Sequence, residues 1–298
     1  MQKQTNTLRK PKTDAGTAPL DDGVYIPLLR QALEEDLGEI GDLTSQLTVP
    51  ENKTAEAVFS SREEGVVAGL EIALKTFTLV DENLEVTLHC QDGDSIFAGD
   101  ALATVKGNAR SILTAERVAL NLLTHLCGIA TATREMVRLL EGTKAQLLDT
   151  RKTLPGLRAL QKYAVAVGDG VNHRMGLFDM VMIKDNHIAY AGGLRTALEA
   201  VKAGKPDGVK IEVEVDTLAQ LEELLAAGGA DIVLLDNMPP ETLRKAVEMV
   251  NGRLVTEASG NITKATIKAV GQSGVDYISS GALTHSVKNF DIGLDVKG

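Results

Sequence analysis

Six apolar, strand-like runs separated by helical patterns occupy the second half of this 298-residue chain. The runs lie at 145–149, 179–184, 209–215, 231–236, 253–258 and 276–280, and helical patterns ending in glycine lie between the last four, at 217–229, 240–252 and 263–274. Strands that alternate with helices predict a parallel sheet. The last four runs end 21 to 22 residues apart, a short and even period that favours a barrel over an open doubly wound sheet. Because six runs are found rather than eight, the sequence predicts an incomplete (β/α) barrel.

The first half of the chain has a different pattern. Residues 24–36 predict an amphipathic helix, and residues 55–106 contain short alternating strands with Gly/Asp turns, which together indicate a smaller α+β domain. A long helix at about 111–139 is apolar on nearly all sides and is therefore expected to be buried. Residues 1–22 are polar and periodless, which predicts a disordered tail. We expect one domain at 23–128 and a barrel domain at 129–285.

Composition excludes several classes of function. The net charge of −10 makes general affinity for nucleic acid or an anionic membrane unlikely, so any attraction for anions must be local. The two cysteines, Cys90 and Cys127, do not have the spacing of a metal site, which favours a reduced, cytoplasmic protein. No run approaches eighteen apolar residues, so no transmembrane helix is expected.

Polar residues follow every one of the six predicted strands. They are Arg151 and Lys152, Lys184 and Asp185, Glu214 and Asp216, Asp236 and Asn237, Glu257 and Ser259, and Ser280 and Gly281. Any strand must leave a sheet into a polar loop, so one such case would carry little weight. Six in succession predict an active site at the carboxyl ends of the strands, where barrel enzymes have theirs.

These side chains indicate the kind of ligand. Several cations at one edge imply a polyanion with carboxylate or phosphate groups. Two carboxylates opposite them, Glu214 and Asp236, suggest a magnesium ion, sugar hydroxyls or a cationic transition state. The small-residue loops at 258–262 and 279–283 follow the last two strands, where barrels commonly bind phosphate.

Two nucleophilic schemes and a metal site match these residues less well. No G-x-S-x-G motif is present. Lys184 could form a Schiff base as in aldolases, although the neighbouring cations are at least as readily explained as anion binders. The spacing of His173 and His187 matches no metal motif; His187 is expected to be structural, and the role of His173 stays open.

Polar residues also interrupt the long helix. Arg117, Asn121, Thr124 and His125 share one stripe, and no acidic residue lies on it. We expect a buried Arg117 to need an anion, while mutual satisfaction of these side chains or a place at an interface is an equal alternative.

Six ordered motifs resemble those of quinolinate phosphoribosyltransferase, the carboxylating nicotinate-nucleotide pyrophosphorylase. They are DTRKTLPGLR, NHRMGLFDMVMIKDNHI, EVEVDTLAQ, DIVLLDNM, EASGNI and GVDYISSGALTHSVKNFDIGLD, and the resemblance runs from about residue 24 to the C-terminus. It implies an N-terminal α/β sandwich domain, joined by residues 286–298, and an open barrel-like domain of about six parallel strands. It also implies a homodimer or a multiple of dimers, which converts quinolinate and phosphoribosyl pyrophosphate to nicotinate mononucleotide, pyrophosphate and carbon dioxide with Mg²⁺.

The resemblance assigns residues as well. Arg151, Arg174 and Lys184 would bind quinolinate. His173 would lie beside it, and Lys152 would help there or at the pyrophosphate. Arg117 would come from the partner subunit and also meet quinolinate.

The acidic pair Glu214 and Asp236 would act at the ribose hydroxyls and magnesium, the latter directly or indirectly. The residues expected to be catalytic are Lys152, Lys184, Glu214 and Asp236. The remaining expected substrate contacts are Thr150, Ser259, Gly260, Asn261, Gly281, Ala282 and Leu283, of which Ser259, Gly260, Asn261 and Gly281 match the segments around the 5-phosphate.

Three alternatives compete with this interpretation. One is a relative of the same fold associated with molybdate transport, another is a Schiff-base aldolase using Lys184, and the third is a non-catalytic anion-binding protein. The arginines together with the retained acidic pair disfavour all three. Incubation with both substrates and magnesium separates them most directly.

Overall fold

The structure is a computed structural model that describes residues 18–297, in which helices and strands alternate along most of the chain. The elements are α1 (Asp22–Leu37), α2 (Leu43–Thr48), β1 (Thr54–Ser61), β2 (Gly65–Val66), α3 (Leu70–Val80), β3 (Glu85–Leu88), β4 (Ser95–Ile96), β5 (Ala101–Asn108), α4 (Ala109–Leu139), β6 (Gln146–Leu148), α5 (Arg158–Val167), β7 (Val181–Ile183), α6 (Asp185–Ala191), α7 (Leu194–Gly204), β8 (Ile211–Val215), α8 (Leu218–Ala227), β9 (Ile232–Asp236), α9 (Pro240–Val250), β10 (Val255–Ser259), α10 (Ile267–Gly271), β11 (Tyr277–Ser279), α11 (Ala282–His285) and β12 (Ile292–Lys297). Most of the predicted tail lies outside the described residues, and α1 begins at its last residue, Asp22.

The described chain divides into two compact units. One contains residues 18–132, 159–168 and 287–297, and the other contains 133–158 and 169–286. Residues 159–168, most of α5, thus belong to the first unit, whereas the sequence predicts them within the barrel domain at 129–285.

The first unit is built on a four-stranded antiparallel sheet. Its strand order is β12-β1-β5-β3, and β2 and β4 form a separate short pair. Phe59 of β1 and Phe77 of α3 are fully buried and meet edge to face, with ring centroids 5.7 Å apart. That aromatic pair fixes α3 against one side of the sheet.

Helix α4 supplies much of the core of this unit. Ile112, Ala115, Ala119, Leu123 and Cys127 follow one another at helical spacing and are buried in the same hydrophobic cluster as the sheet. Among the described residues α4 is the one helix long and apolar enough to cross a bilayer, yet 56% of its most apolar window is buried inside the protein. Its hydrophobicity is therefore accounted for by packing, as expected for a core helix.

The second unit is built on a six-stranded parallel sheet with the order β6-β11-β10-β9-β8-β7. The predicted strands are all present, and no ladder joins the outer strands β6 and β7 in the described chain. The sheet is therefore an open, incomplete barrel, as the sequence predicted. Beside β6, Leu148 forms a single parallel bridge with Val171, which brings the segment after α5 alongside the sheet.

One predicted helix is much shorter than expected. Residues 263–274 have a helical pattern, but α10 spans only Ile267–Gly271. The Thr266 hydroxyl accepts the Thr263 amide at 2.9 Å, which holds residues 263–266 in a turn instead. Short hydroxyl side chains compete with helix formation in this way.

Helix α8 begins immediately after the polar end of β8 and is held by a capping box. The Thr217 hydroxyl accepts the Gln220 amide at 3.2 Å, and Gln220 Oε1 accepts the Thr217 amide at 2.9 Å. Two backbone donors at the start of the helix are thereby satisfied.

We expect Thr217→Ala to lower the free energy of unfolding by about 1 kcal/mol, because one helix-terminal N–H loses its acceptor. Urea unfolding monitored by circular dichroism measures this. Thr196→Ala is the matched control: Thr196 is exposed within α7 and makes no side-chain hydrogen bond among the described residues, so the substitution should be neutral. Equal effects of the two substitutions would contradict the capping argument.

Candidate active site

Most of the residues predicted for the site lie on or just beyond one face of the parallel sheet. In β8 the aliphatic residues Ile211, Val213 and Val215 alternate with Glu212 and Glu214, so the two carboxylates share the opposite face. Since helices cover the outside of such a sheet, that face is the inside of the open barrel.

Strand register places the functional side chains next to one another. Glu214 pairs with Leu234, and Asp236, two residues further along β9, pairs with Ser259 of β10. Residues paired in a parallel sheet point to the same face, so Glu214, Asp236 and Ser259 lie on one edge of the barrel interior. The prediction that polar strand ends converge at one edge rests on this register.

A group of buried charges lies beneath that edge. His173 Nε2 is 3.2 Å from Glu212 Oε2 and 3.3 Å from Glu257 Oε2, and both glutamates are almost completely buried. We call these three residues the acid–imidazole cluster. In the described part of the chain neither oxygen of Glu212 has a well-aligned hydrogen-bond donor, although His173 Nε2 lies 3.2 Å from one of them.

Proton affinity in this cluster is raised. Burial alone would lower the pKa of His173, but its contacts with Glu212 and Glu257 outweigh burial and raise the pKa to about 10. Burial also raises the pKa of Glu212. His173 Nδ1 accepts the Arg174 amide at 2.7 Å, which favours the ring tautomer with its proton on Nε2. Both shifts have the same direction, so the cluster holds protons more tightly than the free side chains would.

Asp149 anchors the segment that carries His173 and Arg174. It is fully buried directly after β6, and its two oxygens accept the His173 amide at 2.8 Å and Asn172 Nδ2 at 2.7 Å. The segment is therefore fixed to the end of β6 by charge-assisted hydrogen bonds.

Two arginines face this region. Burial, and then the nearby charge of Arg151, lowers the pKa of Arg174. Arg174 Nη1 donates to the Met180 carbonyl at 2.9 Å, whereas Arg151 Nε is buried and has no hydrogen-bond partner among residues 18–297. A buried, unsatisfied guanidinium donor beside a second guanidinium is the feature expected of a site that binds an anion.

Both predicted lysines lie on this unit. Lys184 caps α6 and forms an ion pair with Glu214, while its backbone amide donates to His187 Nδ1 at 3.0 Å. This contact agrees with the structural role expected for His187. Lys152 is exposed and follows a turn in which the Thr150 hydroxyl accepts the Lys152 amide at 3.0 Å.

The expected phosphate-binding loops follow β10 and β11. Gly281 precedes α11, and a Cβ atom there would lie 2.8 Å from the Lys152 side chain and 3.0 Å from His285, so a larger residue would collide with both. Leu283 is buried, which leaves its backbone rather than its side chain for a ligand, and Ala282 is exposed. The first turn of a helix offers backbone N–H groups to an anion.

Arg117 departs from its prediction. It is exposed on α4 in the first compact unit, and among the described residues it makes no hydrogen bond or ion pair. The expectation of a buried arginine was wrong, because α4 buries the face that contains Ile112 and Leu123 and leaves Arg117 exposed. Of the other stripe residues, Asn121 is exposed, and Thr124 and His125 are half-buried.

Sequence reasoning missed Asp149, Glu212 and the inward position of Glu257. A signal existed: Glu212 and Glu214 alternate with aliphatic residues, which puts two carboxylates on one face of a strand. Without the barrel geometry that face could equally have been exposed to solvent.

The oxygen donors suitable for a hard cation are Glu214 and Asp236. Asp236 Oδ2 accepts from Asn237, and Glu214 is engaged by Lys184, but each carboxylate offers further lone pairs. The acid–imidazole cluster also has metal-like spacing, with ligand atoms within 4.8 Å of one another.

The raised proton affinity predicts how stability depends on pH. A group whose folded pKa exceeds its unfolded value stabilises fully below the unfolded pKa and loses that contribution as pH rises through the folded pKa. The free energy of unfolding should therefore fall between about pH 6.5 and the His173 pKa of about 10. Chemical denaturation across that range should show a shallower fall for Glu212→Gln, because one of the two carboxylates that raise the His173 pKa is then neutral. Parallel slopes for the two proteins would contradict this role of Glu212.

Comparison with known proteins agrees with this arrangement. Residues 129–295 match the family model described as quinolinate phosphoribosyl transferase, C-terminal domain, and residues 42–127 match its N-terminal domain. A Bacillus subtilis (strain 168) protein named "Probable nicotinate-nucleotide pyrophosphorylase (carboxylating)" is 47% identical over 90% of this chain and 92% of its own length. A Nicotiana tabacum protein named quinolinate phosphoribosyltransferase (decarboxylating) 2a, mitochondrial, is 44% identical over 90% of this chain and 81% of its own.

The solved structure of NadC from Streptococcus pyogenes is 40% identical and has a TM-score of 0.88, covering 94% of this chain and all of its own. Sequence, family models and fold agree over nearly the whole described length. The chain belongs to the quinolinate phosphoribosyltransferase family.

Proposed function

We propose that this protein joins quinolinate to phosphoribosyl pyrophosphate and releases pyrophosphate and carbon dioxide, giving nicotinate mononucleotide for NAD biosynthesis. The observation that carries the proposal is the buried, unpartnered Nε of Arg151 beside Arg174, at the same strand ends as Glu214 and Asp236. Two adjacent cations suit a ligand with two adjacent carboxylates, and the family membership supports the same reaction.

The substrates divide between the two sides of the site. Arg151, Arg174 and Lys184 would bind the quinolinate carboxylates, with His173 beside them. Asp149 would hold His173 and Arg174 in place through the backbone of their segment. Ser259, Gly260, Asn261 and the start of α11 would bind the 5-phosphate, with Lys152 near the pyrophosphate.

The reaction needs electrostatic positioning rather than a protein nucleophile. The bond from the anomeric carbon to pyrophosphate oxygen breaks with its electron pair on pyrophosphate, and positive charge develops on the ribose. Glu214 and Asp236 would stabilise that charge, while the ring nitrogen of quinolinate supplies the electrons of the new bond. The cationic ring then accepts the electrons released with carbon dioxide, and a proton replaces the lost carboxylate.

Magnesium fits the donor set of the same edge. Asp236 would hold it directly or through water, and Glu214 indirectly, because the Lys184 ammonium already occupies one side of that carboxylate. Bound magnesium would supply positive charge to neutralise the leaving pyrophosphate.

The competing chemistries are less well matched. A Schiff-base lysine must be neutral to attack a carbonyl, whereas Lys184 is paired with Glu214 as an ammonium would be. The matches to both family domains likewise give no support to the molybdate-associated relative or to a non-catalytic anion binder. For location, the two free cysteines support a reduced compartment such as the cytoplasm.

Purified protein should convert quinolinate, with phosphoribosyl pyrophosphate and magnesium, to nicotinate mononucleotide and carbon dioxide. Trapping of labelled carbon dioxide and chromatography of the nucleotide measure both products. Nicotinate in place of quinolinate is the control and should not react, because the paired arginines match two carboxylates. A preference for nicotinate, or a borohydride-trapped adduct on Lys184, would overturn the assignment.

Arg117 leads to a proposal about assembly. Its side chain is exposed on α4 and makes no hydrogen bond or ion pair in the described chain, which suits a residue that serves a neighbouring subunit. We infer a homodimer, alone or within a larger assembly, with two composite sites to which each subunit lends Arg117. No nucleic acid or membrane partner is proposed.

Subunit mixing tests this directly. Arg117→Ala and Lys184→Ala should each be inactive, but a fully exchanged equimolar mixture should regain about a quarter of wild-type activity. About half of the dimers are mixed, and each of those has one intact site of two. Mixing Lys184→Ala with Glu214→Ala is the control and should restore nothing, because both residues belong to the same unit of one chain. Mixed dimers of the first pair without activity would rule out the shared site.

A further inference from the structure

Asn237 connects two strand ends at the edge of the barrel. It directly follows Asp236, the last residue of β9, and its backbone amide donates to the Ser259 carbonyl of β10 at 2.9 Å. Its φ of 54° lies in the left-handed region, which asparagine tolerates better than most residues. The backbone therefore turns sharply after β9, and the Asn237 side chain contacts the loop that follows β10.

The Asn237 amide makes two side-chain hydrogen bonds in opposite directions. Nδ2 donates to Asp236 Oδ2 at 2.6 Å, and Oδ1 accepts from Asn261 Nδ2 at 3.1 Å. Because an ionised carboxylate only accepts, Nδ2 must be the atom that faces Asp236. The orientation of the amide is thus determined by its partners.

The loop after β10 is shaped around this amide. A Cβ atom at Gly260 would lie 2.1 Å from Asn237 Oδ1 and 2.6 Å from its Cγ, and Gly260 itself has a φ of 92°. Any side chain there would push the amide away and strain the backbone. Asn237 and Gly260 therefore require each other, one to supply the amide and the other to make room for it.

We infer that Asn237 is a positioning residue that sets the orientation of the Asp236 carboxylate relative to the 259–261 loop. The inference rests on the proposed function, in which Asp236 serves the ribose and this loop the 5-phosphate. The Asn237 amide then contacts both the carboxylate that binds the ribose and the loop that binds the 5-phosphate of the same substrate. The structure assigns it a role in recognising phosphoribosyl pyrophosphate and none in binding quinolinate.

Asn251 offers a comparison within the same chain. It also has a left-handed backbone, with a φ of 45°, and caps the C-terminus of α9. Among the described residues its side chain makes no hydrogen bond, so its backbone conformation alone accounts for it. Helix α9 runs away from the carboxyl ends of the strands, because it leads from the end of β9 to the start of β10.

The experiment compares Asn237→Asp with Asn251→Asp in the wild-type background. Aspartate keeps the shape of the side chain, tolerates the left-handed backbone and keeps the acceptor for Asn261, but it replaces the Nδ2 donor with an oxygen that repels Asp236.

For Asn237→Asp we expect kcat to fall about tenfold to a hundredfold, as for loss of a hydrogen bond to a charged group. The KM for phosphoribosyl pyrophosphate should rise, and the dissociation constant of quinolinate should change by less than about twofold. Asn251→Asp should match wild type in all three quantities.

Two further variants keep the proposal testable if Asn237→Asp folds poorly, which thermal melting would reveal. Asn237→Gly retains the backbone and removes the whole amide, and Asn261→Gly removes the partner of Oδ1; each should raise the KM for phosphoribosyl pyrophosphate. Wild-type kinetic constants in Asn237→Asp or Asn237→Gly would overturn the inference, as would a matching loss of quinolinate affinity. An inactive wild-type protein would instead refute the proposed function itself, and the positioning role would fall with it.

Discussion

Parallel pairing of six strands is the constraint on which the site depends. In a parallel sheet every strand leaves at the same edge, so residues far apart in sequence arrive together only if the register holds. Here Glu214 pairs with Leu234, and Asp236 pairs with Ser259. A slip of one residue in β9 would turn Asp236 out of the barrel interior and leave the phosphate loop without its neighbour.

The buried charges show how the open barrel tolerates polarity in its interior. Glu212, Glu257 and His173 occupy a layer that aliphatic side chains would fill in a barrel optimised for stability alone. Isolated charges there would be costly, and here the His173 imidazole contacts both carboxylates, while Asp149 fixes the segment that carries it. The same layer fixes His173 and, through the backbone, Arg174, so interior electrostatics and ligand binding are parts of one network.

Much of the fold could be predicted because strand and helix periodicity is strong from residue 145 onward, and the polar strand ends could be read directly. The exposure of Arg117 could not: a helix that is apolar on most sides does not reveal which stripe remains outside. The inward positions of Glu212 and Glu257 could not be predicted for a related reason. In the sequence, a carboxylate within an apolar strand looks the same whether it faces solvent or a barrel interior. Helix α10 is shorter than predicted because the Thr266 hydroxyl binds the Thr263 amide and holds these residues in a turn. The spacing of apolar residues does not reveal such a side-chain hydrogen bond. The roles of the individual site residues remain predictions for the kinetic experiments to decide.

The strand order β12-β1-β5-β3 has a consequence for how the chain is made. β1 lies between β5 and β12, so the sheet of the first unit joins three strands that precede the parallel-sheet strands along the chain and one that follows them. During synthesis β1 leaves the ribosome well before Ile292–Lys297, and in that interval one side of β1 has no strand to pair with. All six strands of the parallel sheet emerge within the same interval. While this edge of β1 is exposed, a chaperone would have most to protect.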